Sequence, residues 1–188
     1  QVNDRQYFFS DYYYQFAIWR DLMSAPDMVR QRWVLALSEL FVVSVPSVTG
    51  VQPWTGLGGA HFWDTMAGHG FGNFRDLLQA VTLHPVMGAF LNTRGNRKED
   101  PATGRVPDEN YAREVMQLFT IGLHQLNLDG TPRLGANGQP IDSYGQSDVT
   151  QLARVFTGYD LDLRGVGNFN DPSPPHYSVW YPEYVQRP

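Results

Sequence analysis

Apolar residues recur at helical spacing from the start of the chain. Phe8, Tyr12, Phe16, Trp19 and Met23 follow one another at intervals of four, four, three and four, which places them on one face of a helix over residues 5–23. Such a face ordinarily packs into a core. The alternative is an exposed aromatic platform on which sugar rings stack. Ser24-Ala25-Pro26-Asp27 reads as the start of a second helix, with Ser24 as cap and Pro26 in the first turn. This helix runs from about Pro26 to Val43, turns Val29, Trp33, Leu37, Leu40 and Phe41 inward, and stops at Pro46.

Residues 46–60, rich in Pro, Gly and Thr, read as a loop, and a short helix follows around His61–Gly68. Asn73 and Asp76 have cap spacing ahead of Phe74–Leu83, where Leu77, Leu78 and Val81 face inward. His84-Pro85 breaks that helix, and Pro85 opens another through Leu91. Asn92–Arg105 reads as an exposed polar loop. A helix from Pro107-Asp108-Glu109 to about Leu123 carries Tyr111, Val115, Leu118 and Gly122 on one face, with its acids at the positive end of the helix dipole. Asp129-Gly130 and Asn137-Gly138 supply the positive φ that tight turns need, which predicts a small β-hairpin insertion near 127–144. Ser147 reads as the cap of a last helix, Asp148–Thr157, ended by Gly158. From Tyr159 onward Gly, Asn, Asp and Pro predict a loop-rich tail. No internal repeat or domain linker stands out. The expected architecture is mainly α: one helical domain over 1–188, built as an irregular multi-helix bundle, with a loop-rich extension over 159–188.

Composition narrows the function. At 188 residues with 42% hydrophobic content, the chain can bury a core. A net charge of −5, with Lys and Arg scattered, lacks the basic patch of a nucleic-acid binder. The absence of cysteine removes disulfides, thiolate metal sites and cysteine nucleophiles. The longest apolar stretch, Val34–Val45, is shorter than the ~20 residues of a spanning helix. The chain begins at Gln1 without a signal pattern, so it is expected to be a fragment or mature product of a longer protein.

Four stretches carry a resemblance. They are Gly72-Asn73-Phe74-Arg75-Asp76-Leu77-Leu78; His84-Pro85-Val86-Met87; Pro107-Asp108-Glu109-Asn110-Tyr111-Ala112-Arg113-Glu114 continuing through Gln117–Gly122; and Asp148-Val149 to Leu152-Ala153-Arg154-Val155-Phe156-Thr157-Gly158-Tyr159. In order and spacing, residues 26–160 resemble the bacterial family called domain of unknown function 1800. The resemblance implies an exported protein, periplasmic or extracellular, that is longer than this chain and often encoded beside a sulfatase-like companion. It implies no reaction. Many members carry a Trp-His-Asn-His segment in the second helix, where this chain has Leu37-Ser38-Glu39-Leu40. If those histidines hold a metal elsewhere, Ser38 and Leu40 cannot do so here. A further His-containing family segment would fall beyond Pro188.

The residues with most chemical potential lie after Asp108. Glu109 and Arg113 meet on one helix face, and Asn110 and Glu114 on the next. One reading is a structural ion-pair network of Arg75, Glu109, Arg113, Glu114 and Arg154, with Glu114 buried against Arg75 or Arg154. The other is general acid–base chemistry by Glu109 or Glu114, with Arg113 or Arg97 holding an anionic group. None of His61, His69, His84, His124 and His176 has the four-apart spacing of a helical metal pair, and His84 reads as a cap or packing residue. Asp129, Asn137 and Asp142 fit turn chemistry without a calcium-loop pattern. No motif calls for a metal or cofactor.

Two functional classes remain open. One is a non-catalytic binding or assembly module of the cell envelope or an extracellular complex, with a protein partner or larger assembly. The other is an enzyme acting on an extracellular polymer such as a polysaccharide, with a helix carboxylate as acid or base.

Overall fold

Local chemistry sets several helix boundaries. The Asn73 side chain accepts the Arg75 N–H, and a helix runs from there over Phe74–Thr82. His84 Nδ1 accepts the Val86 N–H at 3.2 Å, capping the helix that Pro85 opens. The Asp148 carboxylate accepts the Gly145 N–H at 2.8 Å, so Gly145 rather than Ser147 is the cap of the last helix.

The computed structural model describes residues 11–48, 55–161 and 184–186. Among them are α1 (Asp11–Ser24), α2 (Met28–Leu40), a 3₁₀ turn (Val45–Val48), α3 (Thr55–His69), α4 (Phe74–Thr82), α5 (Pro85–Phe90), α6 (Asn110–Glu114) continued by a π-helical turn (Val115–Phe119), and α7 (Gln146–Val155). Strands β1 (Tyr159–Leu161) and β2 (Tyr184–Gln186) pair in a short two-stranded ribbon. The protein is mainly α, as its periodicity predicts. Phe8 and most of the tail, His176 included, lie outside the described residues. No described helix is long and apolar enough to cross a membrane. Sequence spacing suggests a single domain; the chain divides into two compact units, Gln1–Phe90 with Asp160–Arg187, and Leu91–Tyr159.

In the first unit α3 packs against α1, α2, α4 and α5. It is longer than its sequence suggests, because Gly56, Gly58 and Gly59 are helical and buried. Gly59 needs its missing side chain: a Cβ there would sit 3.0 Å from Val45 and 3.1 Å from the Tyr14 ring. On α2 the buried residues are Val34 and Leu37, with Phe41 just beyond its end, while Val29 and Trp33 are exposed. The expected inward face is therefore rotated. α2 also ends at Leu40, before Pro46, which sits in the 3₁₀ turn. Ser24 closes α1 by donating to Arg20 O rather than capping α2.

Gly70 joins α3 to α2. Trp33 donates to Gly70 O at 2.6 Å, and Phe71 lies stacked on Trp33 with Arg30 above its ring. A Cβ on Gly70 would come within 2.7 Å of the Met66 carbonyl oxygen and 2.9 Å of Leu37. The first contact is backbone and cannot give way cheaply. Gly70→Ala is expected to destabilise the first unit by about 2 kcal/mol, measured by urea unfolding followed through Trp fluorescence. An unchanged midpoint would contradict this.

The second unit is built on Tyr111, Ala112, Val115, Phe119, Val149 and Ala153, with Phe156 edge-on to Tyr111 at 4.8 Å. Phe119, not Leu118, completes the buried face. The π turn inserts the extra residue: Ile121 N–H reaches Met116 O, five residues back. Asn92–Arg105, expected to be wholly exposed, buries Thr93 and Asn96.

The β-insertion spans 123–143 and is held by single bridges instead of continuous strands. Gln125 N–H donates to Ile141 O at 2.9 Å, Ile141 N–H to Arg133 O at 2.9 Å, and Arg133 N–H to Gln125 O at 2.8 Å. Three segments thus close a ring at a register of eight residues. Asp129-Gly130-Thr131-Pro132 and Asn137-Gly138-Gln139-Pro140 are two copies of one turn, an internal repeat that is inconspicuous in the sequence. Gly130 and Gly138 sit at φ +83 and +74.

Candidate functional site

The polar helix face after Asp108 forms a lock within the second unit. Glu109 Oε2 accepts from Arg113 at 3.0 Å and from the Gln146 side-chain amide at 2.8 Å; its Oε1 accepts from the Thr150 hydroxyl at 2.7 Å. Gln146 and Thr150 belong to α7, so one carboxylate ties α7 to the start of α6. The hydroxyl of Thr150 and the amide of Gln146 hold the Glu109 carboxyl below the usual range, with Arg113 adding to them against partial desolvation. Both oxygens of an ionised Glu109 are taken up by donors. That suits fastening and does not suit a general acid near neutral pH. The Glu109–Thr150 coupling in a double-alanine cycle is expected to be about 1 kcal/mol, read from far-UV circular dichroism in urea. Additive single effects would contradict the lock.

The other expected members are placed differently. Arg154 pairs with Glu99 at 3.2 Å. Glu114 is half-buried, and among the described residues no ion pair reaches it, so the expected Glu114–arginine contact is not formed there. The π turn that follows rotates the helix surface just past Glu114. Arg75 is exposed in the first turn of α4, in the other unit, and its backbone N–H serves the Asn73 cap. Asn110 N–H is taken by Asp108 Oδ1, and Arg97 is exposed.

Sequence spacing gave no hint of the histidine pair in the first unit. His61 Nδ1 lies 2.8 Å from His84 Nε2, with the rings stacked at 5.0 Å between centroids. His84 is buried, and Phe62 meets it edge-on. Burial first, and the neighbouring His61 second, push His84 down to about 3. The two residues are 23 apart in the chain, which is why helical spacing rules miss them. Asp64, one turn beyond His61, is raised by burial, lowered by His61 and raised by Asp21. Among the described residues no group of three or more His, Asp or Glu could hold a metal ion. His69 bonds the Thr65 carbonyl, and His124 lies beside Asp142 at 3.3 Å. Asp129 and Asn137 close their own turns by accepting the N–H of Thr131 and Gln139.

The remaining feature is the α1 stripe. Tyr12, Phe16, Trp19 and Met23 were expected in the core; instead they expose 58–72% of their surface. They line a shallow groove of about 440 Å³ with Gln15, Arg20 and Ser24. Among these described residues Arg20 is the charged one, and it is bound by Asp21 at 2.9 Å. Tyr12 and Phe16 stand edge to face, 4.8 Å apart at 70°.

Fold and side chains together define a mainly α-helical protein of two units, with a polar lock in one and an exposed apolar seam on the other. The family model described as "Protein of unknown function (DUF1800)" matches residues 10–178, and the chain belongs to that family. No curated protein and no solved structure matches it.

Proposed function

We propose that this chain is a non-catalytic binding or assembly module of an exported bacterial protein, and that the α1 seam meets a protein partner. The observation that carries this reading is the exposure of Tyr12, Phe16, Trp19 and Met23 on one helix face. Contiguous exposed apolar surface on a folded unit marks interaction sites. The four side chains are spaced four, three, four, the 3.5-residue period of a helix–helix seam. Among the described residues that line the groove the one charged side chain, Arg20, is already paired, so an apolar helix of another protein suits it. The edge-to-face rings do not offer the coplanar surface that sugars stack on. The polymer-acting enzyme, with Glu109 or Glu114 as acid or base, is the less supported reading, because Glu109 is saturated by donors.

The test is purification from the native host of the full-length wild type and of a Phe16→Ser/Trp19→Ser variant. The wild type is expected to retain a stoichiometric protein partner that the variant loses, while both melt at the same temperature. Equal recovery of partners, or none with either, would overturn the proposal.

A further inference from the structure

The two copies of the turn in the β-insertion differ at one chemically decisive position. Asp129 opens the first and Asn137 the second, and each is followed by glycine. Their hydrogen bonds match. Gly130 N–H donates to Asn127 O and Gly138 N–H to Gly135 O, both at 3.0 Å. Thr131 N–H donates to Asp129 Oδ1 at 3.0 Å, and Gln139 N–H to Asn137 Oδ1 at 3.1 Å. The ring closed by this last bond contains Asn137 Cγ and Gly138 N, an electrophilic carbonyl carbon and the backbone nitrogen that can attack it. Both residues are exposed. Beyond the chain neighbours, nothing lies within 4 Å of where a Cβ on Gly138 would stand, so base and water reach the pair freely. In the sequence Asn137 is the one asparagine followed by glycine; Asn127, by contrast, precedes Leu128 and ties its amide to Thr131 Oγ1 at 3.0 Å.

We propose that Asn137 is a self-modifying site, which loses its amide through a cyclic imide with Gly138 and becomes a carboxylate. Gly138 N–H first leaves Gly135 O. The turn is held by the isolated Leu134–Pro140 bridge, and an exposed unit of this kind opens at little cost. Gly138 N then gives its proton to hydroxide and bonds to Asn137 Cγ. Gln139 N–H sits on Oδ1, where negative charge builds as the tetrahedral centre forms. The Cγ–Nδ2 bond breaks, and Nδ2 departs as ammonia with a proton from water. A second water adds to Cγ of the imide, the bond from Cγ to Gly138 N breaks, and Gly138 N recovers its proton. The net change exchanges an amide and a water for a carboxylic acid and ammonia, with no oxidation or reduction. The first turn already shows the product's geometry, because the Asp129 carboxylate accepts the corresponding N–H. A carboxylate at position 137 therefore closes the second turn in the same way. The insertion keeps its shape with age and gains one negative charge on a chain of net charge −5. This site is independent of the α1 seam.

Timed incubation of the intact chain in mildly alkaline buffer, native and urea-unfolded, tests it. Trypsin then releases residues 134–154, in which Asn137 is the one asparagine, and residues 114–133, which hold Asn127. Fragment mass spectra place the gain in mass of an amide-to-acid exchange. Conversion at Asn137 is expected at least about tenfold faster than at Asn127. It should run at least as fast in the native chain as in urea. Asn137→Asp, which carries the product side chain, should keep the wild-type melting temperature and the wild-type amide exchange at Gln139 and Ile141. Three results would each overturn the proposal: Asn127 keeping pace with Asn137, slower conversion in the native chain than in urea, or a lowered melting temperature in Asn137→Asp.

Discussion

Asn96→Ala is expected to cost the second unit about 3 kcal/mol of stability. The Asn96 side chain is buried in a loop that is polar throughout, and it makes three hydrogen bonds. Its amide donates to Asp108 O and to Phe156 O, each at 3.2 Å, and its oxygen accepts Asp108 N–H at 2.8 Å. The loop, the start of α6 and the end of α7 are thereby joined at one residue. Its backbone adds a fourth tie, accepting Gly158 N–H at 2.8 Å where φ +83 ends the helix. Truncation leaves a donor and two acceptors without a partner, each worth roughly 1 kcal/mol or more when buried. Asn96→Asp should do no better, because an ionised carboxylate would face two carbonyl oxygens. Residues 91–159 contain no tryptophan, so the transition is read by far-UV circular dichroism in urea. A loss below about 1 kcal/mol would mean that the loop is held some other way.

The second large effect is a dependence of stability on acid in the first unit. His84 titrates near 6.5 in an unfolded chain and near 3 in the fold. Between these values the unfolded state binds the extra proton, so stability rises with pH through that window. It is complete above pH 6.5 and falls as the pH drops toward 3. The slope is at most about 1.4 kcal/mol per pH unit, which gives a loss of about 2 kcal/mol between pH 6.5 and 5. His84→Asn should flatten this component, since Asn can cap Val86 as Asn73 caps Arg75 and does not titrate. Trp33 and Trp63 report the transition, as both belong to the first unit. Parallel pH curves for wild type and His84→Asn would contradict the assignment.

What the sequence discloses follows from how local each determinant is. The Asn73 cap, the His84-Pro85 break and the Glu109–Arg113 pair each depend on residues within four positions of one another, and all are present. Periodicity identifies the α1 face without saying what lies opposite it, so the core placement such a face ordinarily takes does not hold for Tyr12, Phe16, Trp19 and Met23. A 3.6-residue register places Leu118 on the buried face, whereas the π turn adds a residue and buries Phe119 instead. Asn96 was invisible, since a buried amide in a polar loop has no compositional signature. The His61–His84 pair and the attachment of Glu109 to Gln146 and Thr150 join residues 23, 37 and 41 positions apart. Only the folded chain brings them together.

The direct test of the seam is site-specific photo-crosslinking in the native host, with the photoreactive residue at position 16 of the full-length protein and, as a control, at exposed Glu39. The account expects one discrete protein adduct from position 16, abolished by Trp19→Ser, and none from position 39. Absence of an adduct at 16, or the same adduct from both positions, would contradict it.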